Sequence, residues 1–453
     1  MPDNNYSHKN KNSNQERAIV HFDGDSFFAS VEQVMDYKLK GKAVITGGER
    51  GAITSVSVEG KKLGINRGMT LAMARAICPD LVVVSSDYTS YSLFARRMYS
   101  IVREFTDLVE EYSIDECFAD ITDVKDQYKD KYKDKEFSYP ELVLIIKKKL
   151  EDSLGVTFGV GLAPNKVLAK LASKHRKPAG FTHIPKEEAH AFLEKVQIGK
   201  VWGIGPSSSL HLGKLGIRTA LDFANKDKDW IDRNSIAKPY QEIWYELNGV
   251  YIKKVINSVS SPDEKIGSII TSRTFTPPSS KRDYVFSQLS KNIESACIKA
   301  RRHKVKASHV RLYLKTQEFT YKSYDFDLNI ALSTPLEIIN LASKYFHHIY
   351  GYDKNILYRA TGVALSGLVH EECLAQDLFG ESKNTERSSE IFSVVDDMSR
   401  KYGKFSVILG SSLEAMPDSA IKTKHVRDAH ETLGLIGERK KKSLNIPFLG
   451  MVR

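Results

Sequence analysis

The chain has 453 residues, 41% hydrophobic and 27% charged, the composition of a soluble globular protein with room for two to four domains. Its net charge of +11 points to a polyanionic partner such as nucleic acid. Cys78, Cys117, Cys297 and Cys373 form no CxxC pair, no apolar run approaches membrane-spanning length, and the N-terminus lacks a signal-peptide apolar region, so zinc, disulfide, membrane and secretory readings give way to a cytoplasmic one.

Residues 1–16 are rich in Asn, Lys and Ser and are expected to be disordered. "AIVHFDGDSFFASVEQV" reads as a buried strand, a turn and the start of a helix. "AVITGG" and "AITSVSVEG" read as two more strands, the second running into a short helix, and "TLAMARAICPD" as a helix stopped by Pro79. Tyr91, Phe94, Met98, Ile101 and Phe105 mark one face of an amphipathic helix over 88–108. "YSIDECFADIT" (112–122) reads as a single buried strand, and "KDQYKDKYKDKEFS" as a solvated charged insertion. A helix over 139–152, a strand "VTFGVGLA" and a helix "NKVLAKLASKH" follow.

From about residue 185 the pattern changes to short helices, and 252–265 reads as a linker. Strands are then expected in "KIGSIITSRTF", "ASHVRLYLKT", "TYKSYDFDL" and "YRATGVALSGL", with helices over 283–303 and 335–349. In "ASHVRLYLKT" the apolar residues alternate with His309, Arg311, Tyr313 and Lys315, so that one face packs on helices and the other presents cations and aromatics. Beyond residue 370 the pattern weakens into a tail with a basic stretch "GERKKKS".

Two adjacent acids, Asp115 and Glu116, inside an apolar run are expensive unless something positive meets them. Asp23 and Asp25 form a second cluster at the end of another apolar strand. The pairing suggests that the two strands lie side by side and share an ion site whose countercharge is metal rather than a salt bridge. A few hard oxygen ligands suit Mg²⁺, and two such ions clamp an in-line phosphoryl transfer. The blander alternative, that single acids such as Asp25 or Asp120 pair with lysines or cap turns, is not excluded by the residues alone.

"HFDGDSFFASVE", "YSIDECFADIT" and "GVGLAPNKVLAKLASKHRKPAGF", in this order, resemble the Y-family (DinB/UmuC-type) translesion DNA polymerases over residues 17–368. The resemblance implies a multi-domain α+β right hand: palm (17–26 and 87–184), fingers (27–86), a helix-hairpin-helix thumb (185–251) and a little finger (266–369). It implies error-prone, template-directed synthesis past damage without proofreading, by a monomer taking primer-template DNA, dNTP and two Mg²⁺ ions. Asp23, Asp115 and Glu116 match the metal-binding carboxylates, Gly24 the position whose backbone carbonyl completes a metal shell, and Phe28 the steric gate against the ribose 2′-OH. Lys177 matches a lysine on the incoming triphosphate. Where the family has a Tyr and an Arg on the triphosphate, this sequence has Val58 and Lys61; Lys61 keeps the charge without the guanidinium fork, and Ser55 and Ser57 lie close enough in sequence to compensate.

"VWGIGPSSSLHLGKLGI" is similar to the thumb motif, with Gly203 and Gly205 in a turn that exposes backbone N–H groups to a phosphate. Arg273, Arg311 and Lys315 are expected along the duplex backbone. Gln376, Leu378 and Phe379 in "AQDLFG" are similar to peptides that dock on the bacterial sliding clamp, and "SSEIFSVVDDMSRKYGKFSVILGSSL" leans the C-terminal segment toward the UmuC side. The competing readings are a catalytically silent scaffold on DNA and clamp, disfavoured by retention of all three carboxylates, and a nucleotide cyclase, which would not need the thumb and little-finger segments.

Overall fold

The computed structural model describes residues 17–47, 52–124, 138–257, 266–351, 355–373, 383–402 and 406–416. The chain divides at Pro262–Asp263 into two compact units. The strands of the first are β1 (Ile19–Gly24), β2 (Val44–Gly47), β3 (Ile53–Val56), β4 (Val82–Val84), β5 (Val109–Ser113), β6 (Glu116–Asp120), β7 (Phe158–Ala163) and β8 (Phe181–His183). They form a five-stranded sheet ordered β5-β6-β1-β7-β8 and a three-stranded sheet ordered β3-β2-β4.

The central strand β1 shows how the larger sheet is sandwiched. Val20 and Phe22 join the core under the helices Tyr88–Arg103 and Tyr139–Leu154, while Ile19 joins the core on the opposite face, with Val167, Leu168 and Leu171 of the helix Lys166–His175. Alternation along the strand therefore turns His21 and Asp23 toward that last helix. The helix sits very close to β7, because a Cβ at Gly161 would lie 2.0 Å from the Ala169 carbonyl oxygen. Only glycine permits that approach.

Where one strand is expected over 112–122, the chain forms a hairpin. β5 and β6 are antiparallel, with Ser113 opposite Glu116, so Ile114 and Asp115 make the turn. Asp115 thus leaves the strand, and its carbonyl accepts the Gly24 N–H at 2.8 Å, which stitches the turn to the end of β1. The amphipathic helix expected over 88–108 ends at Arg103, leaving Phe105 to pack from the following loop.

The smaller sheet has its own core of Ile45, Ile53, Val56, Ile65, Leu81 and Val83. The short helices after residue 185 include Pro206–Lys214 and Lys238–Leu247, and they pack on the helix Lys166–His175. Buried Glu246 ties the two regions: its carboxylate accepts the Val167 N–H at 3.0 Å and the Lys253 N–H at 2.6 Å, and its carbonyl accepts from Asn165, the N-cap of that helix.

The second unit is an antiparallel sheet, β11-β10-β12-β9, of β9 (Ser268–Ser279), β10 (Val305–Thr316), β11 (Tyr321–Leu332) and β12 (Tyr358–His370). The helices Arg282–Arg302 and Pro335–Tyr345 cover one face. The stretch expected as a tail supplies a third layer here. The helix Lys383–Tyr402 docks through Asp396, which receives both guanidinium nitrogens of Arg301 at 2.7 and 2.8 Å, and through buried Phe392, 5.3 Å under the same guanidinium. Residues 409–415 close over Arg282–Arg302: Glu294 accepts from the Leu409 N–H and the Ser412 hydroxyl, and Ser287 accepts the Ala415 N–H. The weak sequence pattern reflects docking by polar and ionic contacts rather than by a broad apolar stripe.

Candidate active site

β1 and β6 run antiparallel with Asp23 directly opposite Glu116. Two acids so placed repel unless cations neutralise them, and two lysines do, with a buried imidazole beside them. Lys170 Nζ lies 2.9 Å from both Glu116 oxygens, His21 Nε2 lies 3.1 Å from Glu116 Oε2, and Lys177 Nζ lies 2.5 Å from Asp23 Oδ1 and 3.4 Å from Asp25 Oδ1. The expectation that metal alone supplies the countercharge is therefore corrected, since salt bridges contribute. Burial by itself raises the Glu116 carboxyl, but His21 and Lys170 outweigh it and hold the group at about 2. Burial lowers the His21 imidazole against the pull of Glu116.

Asp25 points away from this pair and closes the loop after the Lys166–His175 helix, accepting from the Thr157 hydroxyl at 3.0 Å and the Ala179 N–H at 2.7 Å. The blander reading holds for it, as it does for Asp120, which bonds the Thr122 hydroxyl and N–H. Asp115 stands in the adjacent turn with its Oδ1 receiving the Ser113 hydroxyl at 2.5 Å. A side chain at Gly24 would strike Phe27 at 2.7 Å, so its local packing favours the glycine found there.

Ser26, in the left-handed conformation (φ 50°), turns the chain from β1 into the helix Phe27–Met35. Phe28 on the first turn stacks on Tyr91, centroids 4.4 Å apart and planes 10° apart, with Tyr88 edge-on. Tyr91 is fixed in turn by its hydroxyl, which donates to Glu32 at 2.6 Å. Ser55 braces this start, donating to the Ser26 carbonyl and accepting the Ala29 N–H. Val58 opens the helix Val58–Lys62, whose N-cap is Ser57, so Ser57 is already committed to the Gly60 N–H. Burial lowers the Lys61 ammonium pKa and Lys177 lowers it further, while Asp25 and Asp23 raise it. Lys61 and Lys177 therefore feel the same carboxylates from two sides.

The remaining expected contacts lie apart. Gly203 has φ +91° and Gly205 is the N-cap of the helix Pro206–Lys214. In the second unit, Arg311 and Lys315 share the uncovered sheet face, but Arg311 is bound in a bidentate pair by Asp325 at 2.6 and 3.1 Å, and Lys315 lies 4.7 Å over both Phe319 and Tyr321. Arg273 is a correction. It pairs with Thr361, which faces Asn292 of the Arg282–Arg302 helix, so Arg273 belongs to the covered face beside Lys291. Strand parity decides this, and the phase of β9 relative to its neighbours was not legible in one strand alone. Gln376, Leu378 and Phe379 lie outside the described residues.

His21, Lys170 and Ser173 were missed. The available signal was parity: a histidine two residues before Asp23 in an otherwise apolar strand must share its face. His21 Nε2, Asp23 and Glu116 offer ligand atoms all within 4.8 Å of one another, and the two carboxylates are 13% and 14% exposed. Partly open hard oxygen donors on neighbouring strands, with Asp115 beside them, fit Mg²⁺.

Paired strand carboxylates beside lysines are a donor set that suits a divalent cation and phosphate. Residues 22–174 match the impB/mucB/samB family, and residues 267–378 match the C-terminal domain of that family. The chain is 31% identical over 359 residues to the DNA polymerase IV of Lactococcus lactis subsp. cremoris (strain MG1363), covering 78% of this chain and 94% of the relative. It is 28% identical to the DNA polymerase IV of Desulfatibacillum aliphaticivorans, covering 86% of this chain and 96% of that one. Among solved structures it resembles a Y-family DNA polymerase chimera, Dbh-Dpo4(243-245)-Dbh, with a TM-score of 0.64, 23% identity, and coverage of 78% of this chain and 99% of the other. The chain belongs to the impB/mucB/samB family, the bacterial Y-family DNA polymerases. These relatives carry the DinB-side name, and the C-terminal match ends at residue 378, before the segment that leans toward UmuC. No described helix is long and apolar enough to cross a membrane.

Proposed function

We propose that the protein is an error-prone, template-directed DNA polymerase that extends primers past damaged template without proofreading, as a cytoplasmic monomer. The observation that carries the reading is the pairing of Asp23 with Glu116 across β1 and β6, with Asp115 in the turn that joins β5 to β6. In this reading Asp23, Asp115 and Glu116, with the Gly24 carbonyl, hold two Mg²⁺ ions. Bound there, the ions supply the positive charge that eases attack of the primer 3′-hydroxyl on the α-phosphate and departure of pyrophosphate. Lys61 and Lys177 orient the triphosphate, Ser55 keeps the gate helix in place, and Phe28 abuts the sugar. Lys61, which lacks a guanidinium fork, holds the phosphates as a point charge, which predicts looser geometric control than an arginine would give.

The palm would comprise 17–26 and 87–184, the fingers 27–86, the thumb 185–251 and the little finger 266–369, with 252–265 as linker. Gly203 and Gly205 contact a DNA phosphate in this scheme, and Lys315 does so from the open sheet face, while Arg311 must exchange Asp325 for phosphate. Gln376, Leu378 and Phe379 dock on a sliding clamp.

Primer extension with purified protein, Mg²⁺ and dNTPs tests the reading. Wild type should extend a primer, and extension across an abasic template position should succeed in part. Binding of primer-template without any extension would overturn the enzyme in favour of the scaffold. Deleting residues 376–379 should remove clamp from a pull-down while leaving extension on short templates intact; clamp retained by the deletion would sink that docking assignment.

A further inference from the structure

We propose that His21 is a positioning residue that sets the orientation of the Glu116 carboxylate toward a divalent cation. This deepens the polymerase reading and rests on it for its purpose, though not for its measurement. His21 is fully buried in the middle of β1, one strand away from Glu116. Its Nδ1 lies 2.7 Å from Ser173 Oγ, and its Nε2 lies 3.1 Å from Glu116 Oε2. Among the described residues no hydrogen bond of full geometry reaches the buried Nε2, and the Glu116 carboxylate at 3.1 Å is the group it faces.

The chemistry of the partners assigns the ring. A carboxylate only accepts, so the nitrogen that faces Glu116 carries the proton. Nδ1 is then the acceptor, and the Ser173 hydroxyl donates to it in place of the Lys170 carbonyl 3.0 Å away. Ser173 sits on the Lys166–His175 helix, which the close approach at Gly161 locks against the sheet. The imidazole plane is thus held at both ends, and the ring packs at a 48° tilt against Phe118, centroids 4.5 Å apart.

Lys170 and His21 divide the task. Lys170 Nζ lies 2.9 Å from both Glu116 oxygens but hydrogen-bonds to Oε1, so the two basic groups take one oxygen each. An ammonium on a four-carbon stem also leaves the carboxylate plane able to turn. The ring reaches Oε2 alone and so selects one rotational state of the carboxylate. Partners of this kind behind a metal ligand typically account for about 10-fold or more in affinity.

The test uses the full chain, with Mn²⁺ titrated by electron paramagnetic resonance in the absence of DNA and nucleotide, so that no catalysis is needed. His21→Leu, which removes the donor but keeps volume, should weaken Mn²⁺ binding about 10-fold. His21→Gln, which restores an N–H donor, should recover most of that loss, and Ser173→Ala should fall between. The half-saturating Mg²⁺ in single-turnover extension should shift in the same order while the dNTP concentration dependence stays put. Equal Mn²⁺ affinity in folded wild type and His21→Leu overturns the proposal, as does equal impairment of the Leu and Gln variants. If His21→Leu does not fold, wild type against Gln and Ser173→Ala decides it: unchanged Mn²⁺ affinity in Ser173→Ala counts against the hold. A polymerase reading that failed would appear instead as wild type that binds Mn²⁺ but extends nothing.

Discussion

Primer extension by the Asp115→Asn, Glu116→Gln protein is expected to fall at least about 10³-fold, the several kcal/mol that charge stabilisation of a phosphoryl transition state supplies. Both replacements keep size and remove charge. The two acids differ in what else they hold. Glu116 neutralises Lys170, whose side chain is 6% exposed, so Glu116→Gln strands a buried ammonium and should destabilise the fold by about 3–5 kcal/mol. Among the described residues the Asp115 side chain accepts only the Ser113 hydroxyl, and an asparagine oxygen can do the same. Asp115→Asn alone should therefore keep its melting temperature within a few degrees and still lose most activity. Thermal unfolding, a DNA-binding isotherm and extension on one preparation separate the effects. Extension within 10-fold of wild type in the single variant would remove Asp115 from the catalytic set.

The second large effect is expected at Phe28. Its ring is a fixed wall, because Tyr91 stacks beneath it and Tyr91 is itself tied to Glu32. Phe28→Ala should let ribonucleotides compete, with discrimination against the 2′-hydroxyl dropping about 100-fold, the scale at which shape alone rejects one added hydroxyl. It also removes a stacked pair worth about 0.5–1.5 kcal/mol beyond its burial. Phe28→Leu guards against a folding artefact, since it keeps apolar volume but not the flat wall, and it should give an intermediate loss. Competition between a dNTP and the matching rNTP in one extension reaction reads this directly. Unchanged sugar selectivity in both variants would assign Phe28 to the core alone.

The sequence announced these sites unevenly, for physical reasons. Asp23 and Glu116 were legible because each interrupts an apolar run, and a polar break in a buried element demands a cause, whereas Phe28 was legible only through the family resemblance. The helix expected over 139–152 forms as Tyr139–Leu154, where Ser138 and Glu141 make a capping box and Gly155 a left-handed stop. The hairpin at Ile114–Asp115 was not legible, since Ser113 and Asp115 are turn-forming types but no glycine, asparagine or proline breaks the run of apolar and acidic residues around them. Arg273 went to the wrong face because sheet parity depends on register against β12, a long-range property. The docking of the Lys383–Tyr402 helix was hidden for a related reason: its hold is an Arg301–Asp396 ion pair and one phenylalanine, a signal too sparse for periodicity to show.

The turn at Ile114–Asp115 acts as a phase setting for the acids. In an unbroken strand, neighbours 115 and 116 would be thrown to opposite sides of the sheet, one toward each helical layer. Ending β5 at Ser113 and restarting β6 at Glu116 takes residue 115 out of that alternation, so its orientation is answerable to loop length instead. One residue inserted between Ser113 and Glu116 would leave every core contact of Cys117 and Phe118 available and yet dislodge Asp115 from the Gly24 amide. A protein altered only there would fold, bind its ligands, and lie catalytically dark.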